Sequence, residues 1–551
     1  MPTIEVSKKD LESLIGKKLS KEQLEEALMY AKGEIDSEEG DTLKIDVKET
    51  NRPDLWSAEG ISRELRTRTG MEKGIRQYNV SKAKIECTIE KTVEKARPFI
   101  CCAIIRNVTV TENLLVQMIQ LQEKVATTFG RKRKETGIGL YDFDKMAPPV
   151  FYRGYRDKEI EFVPLEYKVK MKPSEILAEH PKGKEFAHLL KGTEYYPIVI
   201  DSKNVVSSMP PIINSETTGK VTEQTKNLFL EVTGHNWETV NTALKVMCMA
   251  LADRGGKIEA VKINFPKTKT YPQKSIETPF FATKKIGVTL DYINRVSGLG
   301  IDAKKAVLLL EKSGMNAKAK GSKIEVEYPD YRLDILHQID IVEDIIISYG
   351  YNKIAPSQVK MSVLGSERKE TAYIDKVRDA CTGLGLQEVL TFMLTSMEKQ
   401  EKMASLKGEK FVEIANPVSM NWSIMRKNIY PELLEFLAKN KHNEYPQRIF
   451  EIGKTLELDA KTDTKTAEKT RLCIAMAEKD AGFTQIKSCL NAVCRELGKK
   501  ISTDEAAHPS FTKGKTALVN GDVKGILGEI DSAVLKEFGI SMPVVMLEIE
   551  L

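Results

Sequence analysis

Long apolar runs are missing from this chain: no stretch of about 18 uncharged hydrophobic residues occurs, so no transmembrane helix is expected. The opening MPTIEVSKKDLESLIGKKLS has charges where a secretory signal carries its apolar core, and no signal peptide is expected from it. Cysteine is scarce, eight scattered residues in 551, and the adjacent Cys101-Cys102 has neither zinc-knuckle spacing nor the look of a disulfide framework. A reducing, cytoplasmic setting is the expectation. The six histidines are expected to be structural or solvated. A surplus of one charge is missing too: 84 basic against 79 acidic side chains leave +5, too little on this length to argue nucleic-acid binding from net charge alone. Low-complexity tails are absent.

What remains is ordinary globular material. Hydrophobic residues make up 41% and charged residues 30%, enough for several cores, and the length suggests about three or four domains. Laying the chain on itself exposes an internal repeat. Near the start stand Leu19-Ser20, a helical EQLEEALMYA, Gly33, strand-like LKIDV, then Arg52-Pro53-Asp54-Leu55 and a second helix. Downstream the same order returns as Ile301-Asp302, KKAVLLLEKS, Gly314, KIEVEY, then Arg332-Leu333-Asp334-Ile335 and a helix. Ser20 and Asp302 suit helix N-caps, whose side-chain oxygens satisfy the first free amides, and Gly33 and Gly314 suit helix stops. Each copy is expected to be a small α+β module of the winged-helix kind: helix, turn, short strands, helix.

Between the copies, FICCAIIRNVTV, YYPIVIDS, NLFLEVTG and KIEAVKINF alternate with helical NLLVQMIQLQEKVATTF and NTALKVMCMALADR, the pattern of one mixed α/β domain. The proline-marked segment 266–279 is expected to be its exit linker. After Pro356 come an amphipathic ETAYIDKVRDACTGLG and the apolar strands EVLTFML, FVEIANP, QRIFEIG and TRLCIAMA. The surface loop LDAKTDTKTAEKT and then Gly525-Ile526-Leu527-Gly528-Glu529 complete this fourth region. The expected borders are 1–85, 86–270, 271–355 and 356–551.

Three constellations bear on chemistry. The first is Asp334, Asp340, Glu343 and Asp344. Asp340 and Asp344 are like charges four apart on one helical face, which destabilises a helix unless something compensates. A magnesium ion, typically held by one or two carboxylates with waters retained, would do so. The alternative is that Asp334 caps the helix and the others are a solvated face. The second is the stretch SSMPPIINS at 207–215, followed by Thr225-Lys226-Asn227 and Glu231-Val232-Thr233. Strand alternation puts Leu228, Leu230 and Val232 on one face and Phe229, Glu231 and Thr233 on the other. Polar groups at strand ends, without a cysteine or histidine nucleophile, suit a pocket that binds a polar small molecule and holds a water. Turn chemistry explains the same residues without any pocket. The third is Arg131-Lys132-Arg133-Lys134, which suits either a solvated face or contact with a phosphate backbone.

SMPPIINS…TKNLFLEVTG resembles the editing-domain signature of phenylalanyl-tRNA synthetase β subunits of the archaeal and eukaryotic type. RLDILHQIDIVEDIIISYGYNKI resembles the segment closing that family's second winged-helix-like module, NRPDLWSAEGISREL its N-terminal counterpart, and GRKRKETGIGLYDFDKM also fits. The likeness runs in order along nearly the whole chain, and the family's duplication of the small module agrees with the repeat. It implies a multidomain α+β fold: two winged-helix-like modules, a mixed α/β editing domain, and a degenerate class II catalytic-like domain on an antiparallel sheet. The inserted oligonucleotide-binding domain and C-terminal anticodon-binding domain of bacterial versions are lacking. The resemblance also implies Mg2+ at Asp334, Asp340, Glu343 and Asp344, shared with an α subunit. It implies an editing pocket at Ser208, Asn214, Glu231 and Thr233 that hydrolyses mischarged tyrosyl-tRNA, the family carrying Asp or Glu at position 231. Two α and two β chains would attach phenylalanine to its tRNA, with ATP and phenylalanine bound through α.

Asn416-Pro417, Met425-Arg426 with Pro431, and RIFEIG at 448–453 resemble interface and strand motifs of class II synthetases. An active site of that class needs an arginine shortly after its C-terminal glycine-rich strand to hold the ATP phosphates. Residues 525–530 offer an acid and apolar side chains instead, so adenylate formation is expected elsewhere. Lys360-Met361-Ser362 is only a fragment of a class I signature, followed by Val363-Leu364 and without an HxGH partner. A free-standing deacylase would need only the middle domain. A DNA-binding scaffold would leave SMPPIINS and TKNLFLEVT without purpose.

Overall fold

The computed structural model describes residues 2–272, 274–359 and 361–551, so Lys360 of the class I fragment and Gln273 of the 266–279 segment lie outside the described residues. The chain divides into two compact units, Met1–Gln358 and Val359–Leu551.

In the first unit the repeat is carried into three dimensions. The first copy runs through strand Thr3–Ser7, helices Lys8–Ile15 and Lys21–Tyr30, strands Gly33–Glu39 and Thr42–Val47, and helix Ala58–Arg68. The second runs through Thr283–Thr289, Leu290–Ser297, Ala303–Lys312, Asn316–Lys320, Lys323–Pro329 and Gln338–Tyr349 in the same order of types. In both, the third strand lies between the other two, with antiparallel pairing throughout. Ser20 caps its helix by accepting from the Gln23 amide, and Asp302 accepts from the Lys305 amide at 2.7 Å. Gly314 takes the left-handed φ of +70° expected of a helix stop. In the first copy Lys32 takes that position at +53° instead, and Gly33 opens the next strand. The opening strand of each copy was not legible in the repeat. It is held by a partner far along the chain, Thr3 opposite Asp46 and Thr283 opposite Pro329, and local periodicity does not register such pairing.

Between the copies lies a ten-stranded mixed sheet. Its path runs from Ile213–Asn214 through Val206–Met209, Tyr196–Asp201, Val150–Tyr155, Val80–Ile89, Lys257–Asn264, Phe99–Arg106 and Leu228–Gly234 to Thr136–Asp142. The 266–279 segment is more than a linker, because Ile276–Thr278 adds antiparallel to Lys257–Asn264. Thr278 Oγ1 also accepts from the Cys102 amide at 3.1 Å and donates to the Cys102 carbonyl at 2.8 Å. Alternation in Leu228–Gly234 is as expected: Leu228, Leu230 and Val232 join the core under helices Glu112–Lys124 and Trp237–Asp253, while Phe229 joins the opposite core. The sheet curls until its two terminal strands face each other. Asn214 Nδ2 donates to the Leu140 carbonyl at 3.2 Å, and the Tyr141 hydroxyl lies 2.7 Å from Ser208 Oγ. That closure creates the site.

The second unit is built on a seven-stranded sheet in the order Gln387–Glu388, Gln447–Leu458, Thr466–Ala477, Val544–Glu550, Lys524–Ile530, Phe511–Gly521 and Ile501–Glu505. Every neighbour is antiparallel except the first pair. Period-2 alternation supplies a core on each face. Phe450, Leu472, Ile474 and Leu547 belong to one, and Ile449, Cys473, Ala475 and Met546 to the other. Arg426 and Glu451 form a fully buried ion pair at 2.8 Å. All eight cysteines of the chain are buried and free. Among the described residues no helix is long and apolar enough to cross a membrane.

Candidate functional site

A cavity of about 530 Å³ opens where the two ends of the curled sheet meet. Helix Glu112–Lys124 walls one side with Leu114 and Met118, and Gln122 ties that helix to the edge strand by donating to the Ile138 carbonyl at 2.7 Å. The hairpin around Pro210-Pro211 walls the other side. It pairs Asn214 with Ser208 across its two strands, so the turn brings together two of the expected pocket residues.

Glu231 stands on the strand next to the edge, 2% exposed, with Gly139 as its cross-strand neighbour. A Cβ on Gly139 would fall 2.3 Å from the Tyr141 hydroxyl and 2.7 Å from Glu231 Oε1, so only glycine leaves room for that pair. The Tyr141 hydroxyl lies 2.8 Å from Glu231 Oε1 and bridges it to Ser208. Glu231 Oε2 is buried and, among the described residues, has no hydrogen-bond partner, and Glu231 lines the cavity. Burial pushes the Glu231 carboxyl up to about 7, against the opposing pull of the Tyr141 hydrogen bond and the Arg97 charge. Burial, with the neighbouring Glu231, drives the Tyr141 phenol well above its ordinary value, so it remains a neutral hydroxyl.

Thr233 does not line this cavity, contrary to expectation. Its Oγ1 accepts from Arg97 Nε at 2.9 Å and its carbonyl from Arg97 Nη2 at 2.6 Å. The register explains this: Thr233 stands opposite Gly137, and a Cβ there would fall 2.7 Å from Pro211 Cβ, so the proline lies directly on that part of the strand. Ser208, Asn214 and Glu231 are thus brought together, and Thr233 instead holds Arg97. Tyr141 and Arg133 were not singled out in the sequence as pocket residues. The alternating glycines of TGIGLY were the available signal, since glycine inside a strand marks the close approach of another group.

The four carboxylates expected to hold magnesium do not converge. Asp344 accepts from Arg68 at 2.5 Å and from Arg332 at 2.6 Å, and Asp334 is bound by Arg332 at 2.6 Å with Arg52 at 3.9 Å. Asp340 locks the helix start by accepting from the amides of Leu336 and His337 at 2.7 and 2.6 Å, so it, and not Asp334, serves the cap. Glu343 pairs with Lys32 at 2.8 Å. Among the described residues no three His, Cys, Asp or Glu side chains are grouped as a metal ion would need. These residues do not fit a four-carboxylate magnesium site.

The repeat supplies the reason. Arg332, Asp334 and Asp344 stand 280 positions after Arg52, Asp54 and Glu64. The first set makes the matching bonds, Arg52 to Asp54 at 2.8 Å and to Glu64 at 3.1 Å. Arg68 then crosses from one copy to the other, donating also to Ser313 at 2.8 Å and Ser348 at 2.5 Å. Burial opposes ionisation of Glu64, but Arg68, Arg52 and Arg332 bring it down to about 2. The acids of the helix are therefore compensated one by one, Asp344 by guanidinium groups, Glu343 by an ammonium and Asp340 by backbone amides.

Comparison with known proteins identifies the chain's relatives. Over its entire length it is 45% identical to the phenylalanine–tRNA ligase β subunit of Pyrococcus horikoshii, 99% of which it covers. The chain belongs to the phenylalanine–tRNA ligase β-subunit family. It is likewise 43% identical to the β subunit of Thermococcus kodakarensis, covering 98% of it. Residues 286–351 match the tRNA synthetase B5 domain and residues 355–551 the phenylalanyl tRNA synthetase beta chain CLM domain. The B5 match falls on the second small module of this β-subunit family member, and the CLM match on its second compact unit. The crystal structure of an N-terminal fragment of the phenylalanyl-tRNA synthetase β subunit from Pyrococcus horikoshii superposes with a TM-score of 0.61 at 46% identity. The superposition covers 64% of this chain and all of that fragment.

Proposed function

We propose that this chain is the β partner in an α/β phenylalanine–tRNA ligase of two α and two β chains, and that its own cavity hydrolyses tyrosyl-tRNA made in error. The observation that carries the editing reading is Glu231 Oε2, a buried acceptor without a partner at a cavity walled on one side by apolar side chains. A synthetic pocket shaped for phenylalanine rejects an analogue with one more hydroxyl by only about a hundredfold, whereas a site that hydrogen-bonds that hydroxyl rejects its absence by about 10⁴–10⁵. The phenol of a misplaced tyrosine would donate to Oε2. Tyr141 keeps the other oxygen engaged, and Ser208 and Asn214 offer further polar contacts. Water attacks the ester carbonyl, the bond to the terminal ribose breaks, and tyrosine and tRNA leave. In this reading the water is oriented by backbone groups and that ribose.

ATP and phenylalanine belong to the α chain in this reading. The largely antiparallel seven-stranded sheet supports a class II-like ancestry for the second unit, and the two small modules support a winged-helix-like bracing role. The strand Lys524–Ile530 leads into helix Ser532–Phe538 without an arginine to hold ATP phosphates. No step is assigned to magnesium on this chain. The free thiols fit a cytoplasmic setting.

Glu231→Ala in the reconstituted α/β enzyme tests the proposal. Loss of a hydrogen bond to a charged group is worth about 1.5–3 kcal/mol, so tyrosyl-tRNA deacylation should slow by about tenfold to a hundredfold. Phenylalanine charging should stay near wild type. Unchanged deacylation in the Glu231→Ala, Asn214→Ala double variant would place the editing chemistry elsewhere, and equal losses in both assays would indicate misfolding.

A further inference from the structure

The basic run Arg131-Lys132-Arg133-Lys134 follows helix Glu112–Lys124 and its wide last turn Val125–Phe129. Arg131, Lys132 and Arg133 have φ of +49°, +54° and +64°, three consecutive non-glycine residues in the left-handed region. Each is disfavoured there because its Cβ crowds the following carbonyl. Such a conformation persists only where the surroundings over-determine it, and it concentrates at binding sites. Here the surroundings do so. The amides of Arg131, Lys132 and Arg133 donate to the carbonyls of Thr128, Thr127 and Ala126 at 3.2, 2.8 and 2.8 Å, and the Glu135 amide donates to Gly130 at 2.9 Å.

The turn is also tied to the cavity from two sides. Arg133 Nη1 donates to the carbonyls of Pro211 and Ile212 at 3.2 and 3.0 Å, while its Nη2 meets Glu123 at 2.6 Å, clamping the hairpin wall to the helix wall. Arg97, held by Thr233, donates to the Lys134 carbonyl at 3.1 Å. One arginine of the run therefore faces inward. Arg131, Lys132 and Lys134 are exposed, and among the described residues none of the three is ion-paired. Lys182 and Lys220, which lie on the cavity lining itself, are each neutralised by a glutamate, Glu185 and Glu216. The strained turn thus fixes the backbone that carries three uncompensated cations, next in sequence to Arg133 on the cavity lining.

We infer that this left-handed basic turn is a phosphate-binding site for the 3′-terminal strand of the RNA whose aminoacyl end enters the cavity. The inference rests on the editing reading for the identity of that RNA. An aminoacyl group is joined to the terminal ribose, so a substrate seated in the cavity leaves its phosphodiesters at the mouth, where Arg131, Lys132 and Lys134 can neutralise them. Each phosphate neutralised on a single strand contributes about 0.7 to the slope of log affinity against log salt.

The test is the triple variant Arg131→Asn, Lys132→Asn, Lys134→Gln in the full chain, asparagine being tolerant of positive φ. Hydrolysis of tyrosyl-tRNA and of tyrosyl-adenosine, which has no phosphate, is measured from low to moderate salt. The expected result is a KM for tyrosyl-tRNA raised about tenfold with kcat retained, a salt slope flattened by about 2, and unaltered turnover of tyrosyl-adenosine. The charge-keeping Arg131→Lys, Lys132→Arg pair should restore the KM. An unchanged KM and salt slope for tyrosyl-tRNA overturns the site, as does an equal loss on tyrosyl-adenosine. If the wild-type chain hydrolyses neither ester, the editing reading fails, and the site is read from binding of a labelled single-stranded RNA ending in CCA. Weaker, less salt-sensitive binding by the triple variant then supports it, and equal binding overturns it.

Discussion

At the scale of single residues, Glu231 is where sequence and structure meet most closely. Alternation along NLFLEVT put its side chain opposite Leu230 and Val232, and the strand does the same. Its burial and its half-satisfied carboxylate were not legible, because both depend on Tyr141 from the neighbouring strand and on the space left by Gly139. The consequence for stability has a definite sign. Below its unfolded value, near 4.5, the carboxyl is protonated in both states and costs nothing. As pH rises from there towards about 7, the unfolded chain ionises first and stability falls; above that the penalty is complete. Glu231→Gln should therefore stabilise the chain by on the order of 2–3 kcal/mol at about pH 8, and hardly at all at about pH 4. Denaturant titrations at the two pH values check this, and an equal gain at both would mean that the carboxyl does not titrate in this window.

At the scale of elements, the helix Gln338–Tyr349 was legible from its apolar periodicity and from Gly350, its C-cap at a φ of +98°. The partners of its acids were not. Arg68 lies 276 residues from Asp344, and no local pattern carries that information. The repeat matches only the Arg332 bonds, since Arg52, its counterpart, joins Asp54 and Glu64, the counterparts of Asp334 and Asp344. A magnesium site would make its carboxylates comparably important and its stability metal-dependent; an arginine joint does neither. Asp344→Asn should destabilise the chain by about 3–5 kcal/mol, the range for breaking a buried ion pair. Asp340→Ala should cost about 1 kcal/mol, the worth of a helix cap. Neither loss should respond to added magnesium or to chelator. Thermal unfolding of both variants with and without magnesium decides it, and a metal-dependent melting temperature would restore the metal site.

At the scale of the whole molecule, the two copies of the small module were legible from the repeat, but the reach of the central sheet was not. Val80–Ile89 straddles the border expected at 86 and Ile276–Thr278 lies beyond the one at 270, because strand membership is decided by partners rather than by local composition. The second unit has the antiparallel sheet expected of it, yet its interior offers Arg426 to Glu451 and not to a nucleotide phosphate. The purified chain alone should accordingly give no phenylalanine-dependent exchange between ATP and pyrophosphate. Exchange above background after stringent removal of any companion chain would show that this unit makes the adenylate itself.

The strands on which the chain enters and leaves the central sheet, Val80–Ile89 and Ile276–Thr278, are both bonded to Lys257–Asn264. The two ends of the intervening domain are therefore adjacent, and its helix Trp237–Asp253 shares an apolar core with the first module, Ile4, Leu11 and Leu65 joining one cluster with Val240 and Leu244. The arginine joint, meanwhile, fastens the flanking modules to each other directly, from Arg68 to Asp344. Excising the central domain and bridging its ends would leave that joint's partners in the chain but would open the shared core, so the parts of the first unit stand or fall together.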